Sequence, residues 1–136
     1  MSQQRVVETT FRVRYAETDA MGVVYHAEYL VWFEVGRGEY FRAQGEDYAR
    51  WEQQGYYLPV SEVHARYHAP AHYGDHVAVR TWVQEVRSRG LTLEYEVNHA
   101  ETQQRLVSGW TKHICMDGQG RACRLPADML ALLEVS

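Results

Sequence analysis

The side chains best suited to chemistry crowd into one stretch, residues 15–29: Tyr-Ala-Glu-Thr-Asp-Ala-Met-Gly-Val-Val-Tyr-His-Ala-Glu-Tyr. It sets a carboxylate, Asp19, and an imidazole, His26, around the start of an apolar helical pattern. A carboxylate can activate water or attack a carbonyl carbon directly. Unpaired N–H groups at a helix start favour negative charge and can hold a developing oxyanion. The same residues also have a plainer reading, with Asp19 as a turn or N-cap residue and His26 as a satisfied, part-buried histidine.

Three other groups compete for attention. His64, His68, His72 and His76 recur every four residues. That spacing aligns metal ligands on a helix, but Pro70, Gly74 and a period-two apolar pattern argue for extended chain. There, residues four apart lie roughly 13 Å from each other. These histidines are expected to face solvent or sit in loops, and no metal site is expected. Cys115 and Cys123 lack a paired ligand motif and are read as free structural thiols. Arg87-Ser88-Arg89-Gly90 reads as a hairpin tip, where two arginines can clamp a phosphate or simply be solvated. The sequence carries no Gly-x-Gly-x-x-Gly, Walker-type loop or Gly-x-Ser-x-Gly elbow. Dinucleotide chemistry, nucleotide hydrolysis and α/β-hydrolase serine chemistry therefore have no support.

Before this stretch, strict alternation over 6–15 sets Val7, Thr9, Phe11, Val13 and Tyr15 on one face of a half-buried strand. A turn-rich loop, 16–22, follows. From Ala27 to Gln44 the pattern becomes helical: Tyr29, Phe33, Gly36 and Tyr40 share a face, and Leu30, Val31, Trp32 and Phe41 widen it. So wide an apolar arc predicts burial on more than one side. Gly36 in mid-helix predicts a close backbone approach, and Gly45 a C-cap. Residues 46–56 read as a short helical turn. Strands are expected over 57–69 (Val63, Ala65, Tyr67 and Ala69 on one face), 76–86, 91–99 and 106–116. Pro126 opens a short last helix. One strand, one long apolar helix and four hairpin-joined strands make an α+β fold with an antiparallel sheet.

Composition sets the bounds. The 136 residues suit one domain, 1–136, with a core of its own. Hydrophobic residues at 46% and charged residues at 24% are ordinary globular usage. A formal net charge of −4 disfavours a general nucleic-acid binder. No apolar run of membrane-spanning length is present, and a cytoplasmic location is expected.

The stretch Thr18-Asp19-Ala20-Met21-Gly22-Val23-Val24-Tyr25-His26 resembles the signature of the hotdog-fold acyl-CoA thioesterases, in the YbgC-type branch of the 4-hydroxybenzoyl-CoA thioesterase family. Tyr67-x-x-Pro70-Ala71 followed by Asp75, the basic tip at Arg87-Ser88-Arg89-Gly90, and Leu125-Pro126 before a short helix are similar to further family features. The resemblance covers nearly the whole chain. It implies a five-stranded antiparallel sheet wrapped around one long central helix, and hydrolysis of an acyl-CoA thioester to free acid and coenzyme A. By the same resemblance Asp19 serves as general base or nucleophile. His26 positions carbonyl or water, Tyr25 walls the acyl pocket, and backbone N–H groups around Tyr25 and His26 form the oxyanion hole. Gly22 and Val23 border the substrate, and Arg87, Ser88 and Arg89 lie near the coenzyme A phosphates. No metal or cofactor is implied. A homodimer, or a homotetramer built from two dimers, is implied, with the cleft between subunits. Two departures stand out: Glu28 where the family often has Asn, and Met21 where a smaller residue is common. An acyl-carrier-protein thioesterase, a hydratase or dehydratase, and a non-catalytic acyl-thioester binding module are the alternatives. Against the hydratases, Met21 stands where one of their patterns needs Asn.

Overall fold

The computed structural model describes residues 5–45 and 48–134. Five strands, β1 (Val7–Arg12), β2 (Val60–Tyr67), β3 (His76–Arg87), β4 (Gly90–His99) and β5 (Arg105–Ile114), form one antiparallel sheet in the order β1-β3-β4-β5-β2. Helix α1 (Glu28–Ala43) packs on its inner face, and two shorter helices, α2 (Tyr48–Gln53) and α3 (Ala127–Glu134), complete the chain. This is the α+β arrangement that the alternation and the long helix predict.

The alternating residues of the central strands form the core as expected. Val77, Val79, Thr81 and Val83 of β3 and Leu91, Leu93, Tyr95 and Val97 of β4 are all buried. Phe33 stacks flat on Tyr95 with ring centroids 4.4 Å apart. Gly36 is buried because a Cβ there would lie 2.8 Å from Val79 Cγ1 and closer still to Thr81 Oγ1. The helix thus lies nearly on the sheet backbone. Each fully buried large apolar side chain in this layer contributes about 1.5–3 kcal/mol.

Two expectations need correction. The first strand ends at Arg12, not at residue 15, and Tyr15 is 76% exposed in a short 3₁₀ turn, edge-on against Tyr73. The cause is the bond from Val13 N–H to Asp75 O, after which the chain leaves the sheet. The wide apolar arc of α1 is also covered only in part within the described chain: Trp32 and Phe41 are buried with the central face. Leu30, Val31 and Val35 stay exposed, as do Val60, Val63 and Tyr67 on edge strand β2. The buried side of the helix runs from Trp32, against Phe11 of β1, across Tyr29, Phe33, Gly36 and Tyr40 to Phe41, against Trp51 of α2. The part of the expected helical turn at residues 46 and 47 lies outside the described residues.

Candidate active site

The loop joining β1 to α1 is held by a carboxylate that sequence reasoning passed over. Glu17 is 5% exposed. Its Oε2 accepts the Trp32 indole N–H at 2.8 Å, and its Oε1 accepts the Arg14 backbone N–H at 2.8 Å. Its carbonyl accepts the Tyr25 N–H at 2.9 Å. A buried carboxylate survives only with such partners, and here they fasten the loop to the helix.

Asp19 sits at the outer end of this loop and is exposed. Its Oδ1 accepts the Met21 N–H at 2.8 Å, and its carbonyl accepts the Gly22 N–H at 3.0 Å. Gly22 takes φ +79°, a conformation that costs glycine least. Val23 bridges to His72, and Thr18 to Val24, so the loop is a small closed hairpin. The turn role of Asp19 is therefore real, and among the described residues Oδ2 has no hydrogen-bond partner. Met21, at 84% exposure, projects away from the fold.

His26 and Tyr25 follow, both exposed, with rings 4.5 Å apart. The Tyr67 hydroxyl donates to the His26 carbonyl oxygen at 3.0 Å, joining the end of β2 to the start of α1. The Tyr29 hydroxyl accepts the Ala71 N–H at 3.1 Å, and burial pushes its phenol above the ordinary tyrosine value. Asp19, Val23, His26, Tyr29, Tyr67 and Pro70 line one open cleft of about 370 Å³. Tyr67 and His68 also border this cleft, a role not expected for His68, which pairs with Ser108 at 2.9 Å.

The backbone at the helix start departs from the expectation at Tyr25. Helix α1 begins without a side-chain cap at Ala27. Tyr25 N–H, expected in the oxyanion hole, is already bonded to Glu17 O. The N–H groups of His26 and Ala27 donate to no other described residue, whereas Glu28 N–H is taken by Tyr25 O.

The basic hairpin lies elsewhere. Ser88 and Arg89 form the turn between Arg87 and its partner Gly90. They border a second cleft of about 480 Å³, together with Ser61, Glu62 and Lys112. Arg87 Nε contacts Glu85 at 2.9 Å. Tyr67, at one end of β2, lines the Asp19 cleft, and Ser61 and Glu62, at the other, line the hairpin cleft, so the strand holds the two clefts about 20 Å apart. Within one chain, Asp19 and the arginines are not in one site. Lys112, absent from the sequence reasoning, joins the arginines because β5 runs beside β4 there.

The remaining candidates resolve simply. His64 stacks on Trp110, and His72 stands 3.6 Å from Asp75. Among the described residues no group of three or more His, Cys, Asp or Glu side chains is arranged to hold a metal ion.

Comparison with known proteins gives this arrangement a family. Residues 13–133 match the model of the thioesterase-like superfamily. The chain belongs to that superfamily. Within it, the chain is 37% identical over 112 residues to YneP of Bacillus subtilis (strain 168), a candidate acyl-CoA thioesterase, spanning 82% of this chain and 80% of that one. It is 34% identical to the acyl-CoA thioesterase YbgC of Haemophilus influenzae, with 88% of each chain covered. The solved structure of the DHNA-CoA thioesterase from Staphylococcus aureus superposes with a TM-score of 0.88 at 34% identity, covering 96% of this chain and 87% of that one. The thioesterase-like fold thus agrees with the strand order derived above. No helix among the described residues is long and apolar enough to cross a membrane.

Proposed function

We propose that this thioester hydrolase cleaves acyl-CoA to a free acid and coenzyme A, with Asp19 as the group that delivers oxygen to the thioester carbonyl. The observation that carries the reading is the shared cleft. One free carboxylate oxygen of Asp19 opens on the same space as His26, at a helix start with two uncommitted N–H groups. As general base, Asp19 takes a proton from water, whose oxygen adds to the carbonyl carbon. As nucleophile, it adds directly and water later releases the acid. In both routes the carbonyl oxygen becomes an oxyanion, which the His26 and Ala27 N–H groups can hold. Collapse breaks the carbon–sulfur bond and expels the coenzyme A thiolate. His26 orients carbonyl or water, Tyr25 walls the acyl pocket, and Gly22 and Val23 let the substrate pass close to backbone.

The assembly follows from edge strand β2. Its Tyr67 end adjoins the Asp19 loop, and its Val60 end adjoins His113 and the Arg87–Gly90 hairpin. Leu30, Val31, Val60 and Val63 line one exposed apolar groove along it. Pairing two β2 strands antiparallel about a two-fold axis buries that groove and satisfies the open strand edge. The same pairing sets the Asp19 end of each copy against the hairpin end of the other. The cleft between copies is then long enough for an extended acyl-CoA, with Arg87, Ser88 and Arg89 at its phosphate end. A homodimer is the smallest working unit, and a homotetramer is a pair of them. A cytoplasmic location accords with this substrate.

Thiol release from a panel of short-chain, long-chain and aromatic acyl-CoAs, run on wild type and Asp19→Asn, tests the reading. Asn keeps the turn bond to Met21 but is no base or nucleophile. A fall in kcat of about 10²–10⁴ is expected with folding intact. Near-normal turnover by a folded Asp19→Asn protein would place the chemistry elsewhere.

A further inference from the structure

Cys115 and Cys123 lie on either side of a tight turn, and the fold brings their sulfurs face to face. Asp117 Oδ1 accepts the N–H groups of Gln119 and Arg121, closing the turn. Met116 bridges to Ala122, and Cys123 N–H donates to Cys115 O at 2.9 Å. The two sulfurs, both free thiols, stand 3.3 Å apart. A disulfide bond is about 2.05 Å long, so joining them takes about 1 Å of side-chain movement. Cys115 is buried, whereas Cys123 is partly exposed.

The pair is tied to the basic hairpin. Cys115 N–H donates to Arg89 O at 2.8 Å, and Leu125 N–H donates to Ser88 O at 2.9 Å. Ile114 and Ala122, each next to one cysteine, line the same cleft as Arg87, Ser88 and Arg89. The backbone that carries both thiols is therefore the support on which the hairpin rests.

We propose that Cys115 and Cys123 form a reversible disulfide by exchange with a low-molecular-weight disulfide, and that closing this bond shifts the hairpin. The consequence for substrate rests on the reading that the hairpin holds the coenzyme A phosphates. Cys123, the accessible thiol, loses its proton and attacks one sulfur of the small disulfide. The other half leaves as thiolate and takes up a proton. Cys115 then loses its proton and attacks the Cys123 sulfur, forming the internal bond and releasing the second half as thiol. Two protein thiols are oxidised, and one small disulfide is reduced to two thiols. Burial is the largest reason the Cys115 thiol is pushed up to about 12, and its contact with Cys123 comes next. Disulfides of this kind in reducing compartments are transient and redox-sensing.

The full-length protein is incubated with glutathione disulfide and its intact mass read without reductant. The wild type is expected to lose two hydrogens and carry no adduct. Cys115→Ser is expected to retain a glutathione adduct, and Cys123→Ser to gain neither. Amide exchange in the oxidised wild type is expected to quicken at Cys115 and Leu125, the donors that hold the hairpin. KM for acyl-CoA is expected to rise severalfold at nearly constant kcat and to return with dithiothreitol. A wild-type protein that shows no mass change, or keeps a stable adduct, overturns the site without reliance on any variant. Unchanged amide exchange in the oxidised form overturns the link to the hairpin. Quickened exchange with unchanged KM refutes the substrate role of the hairpin and leaves the disulfide site standing.

Discussion

The indole of Trp32 donates its N–H to Glu17 Oε2 at 2.8 Å, so a residue of the long helix holds the loop that presents Asp19. Trp32→Phe keeps the ring contact with Phe11 in kind but leaves a buried carboxylate oxygen unpaired. Loss of one partner from such a group costs about 1–3 kcal/mol. Urea unfolding should show that loss, and kcat should fall more than KM rises as the loop loosens. Wild-type stability in Trp32→Phe would mean that the bond contributes nothing.

The hairpin prediction separates binding from chemistry. Changing Arg87 and Arg89 together to Ala should raise KM for acyl-CoA at nearly constant kcat, because contacts to distant phosphates are equal in ground and transition states. With a substrate cut back to the pantetheine portion, the same variant should match wild type. An unaltered KM would make the pair an ordinary solvated turn.

His113 supplies a pH signature. Burial lowers its value from 6.5 to about 4, so it is neutral at pH 7. Its Nδ1 faces Leu58 O at 3.0 Å and must donate; its Nε2 must then accept from Thr111 Oγ1 at 2.8 Å. Thr111 therefore accepts from the Tyr95 hydroxyl at 2.6 Å, and Tyr95 from Arg37 at 3.1 Å. The chain of bonds has one direction only, and protonating His113 reverses its last side-chain link. Between pH 4 and 6.5 the unfolded chain binds the extra proton, so stability rises with pH in that window. The contribution is complete above about 6.5 and is lost as pH falls toward 4, amounting to about 3 kcal/mol. Urea midpoints between pH 7 and pH 4 check this. His113→Gln should flatten the slope, and an unchanged slope would assign it to other groups.

Gly36→Ala tests how closely α1 lies on the sheet. Ala is favoured in a helix by about 1 kcal/mol, yet its Cβ would press into Val79 and Thr81 of β3. Overpacking of this kind costs about 1–3 kcal/mol, so a net loss in melting temperature is expected. A gain would show that the sheet yields at this point.

Much of the fold is legible in the sequence because single-period patterns dictate it. Val77, Val79, Thr81 and Val83 alternate, as do Leu91, Leu93, Tyr95 and Val97, and each set is buried as one face. Asp19, Gly22, Tyr25 and His26 are legible as a group because they are neighbours in the chain. What could not be read depends on contacts between distant segments. Glu17 looks like any loop acid until Trp32 is folded over it. Cys115 and Cys123 become a pair only once the turn closes between them. That Asp19 and Arg89 border different clefts depends on how the strands between them pair and run. Sequence also shows that Leu30, Val31 and Val35 are apolar, but not that their own chain leaves them uncovered.

The proposed two-fold pairing makes the catalytic unit divisible between two genes. An Asp19→Asn chain has an intact hairpin, and an Arg87→Ala, Arg89→Ala chain has an intact carboxylate. In a two-fold pair, each cleft takes its carboxylate from one copy and its arginines from the other. Co-expression of the two defective chains therefore rebuilds one cleft with both parts sound and leaves the second with neither. Activity at low substrate should reappear in the mixed protein though each parent lacks it. Parents that stay inactive when mixed would tie both functions to a single copy.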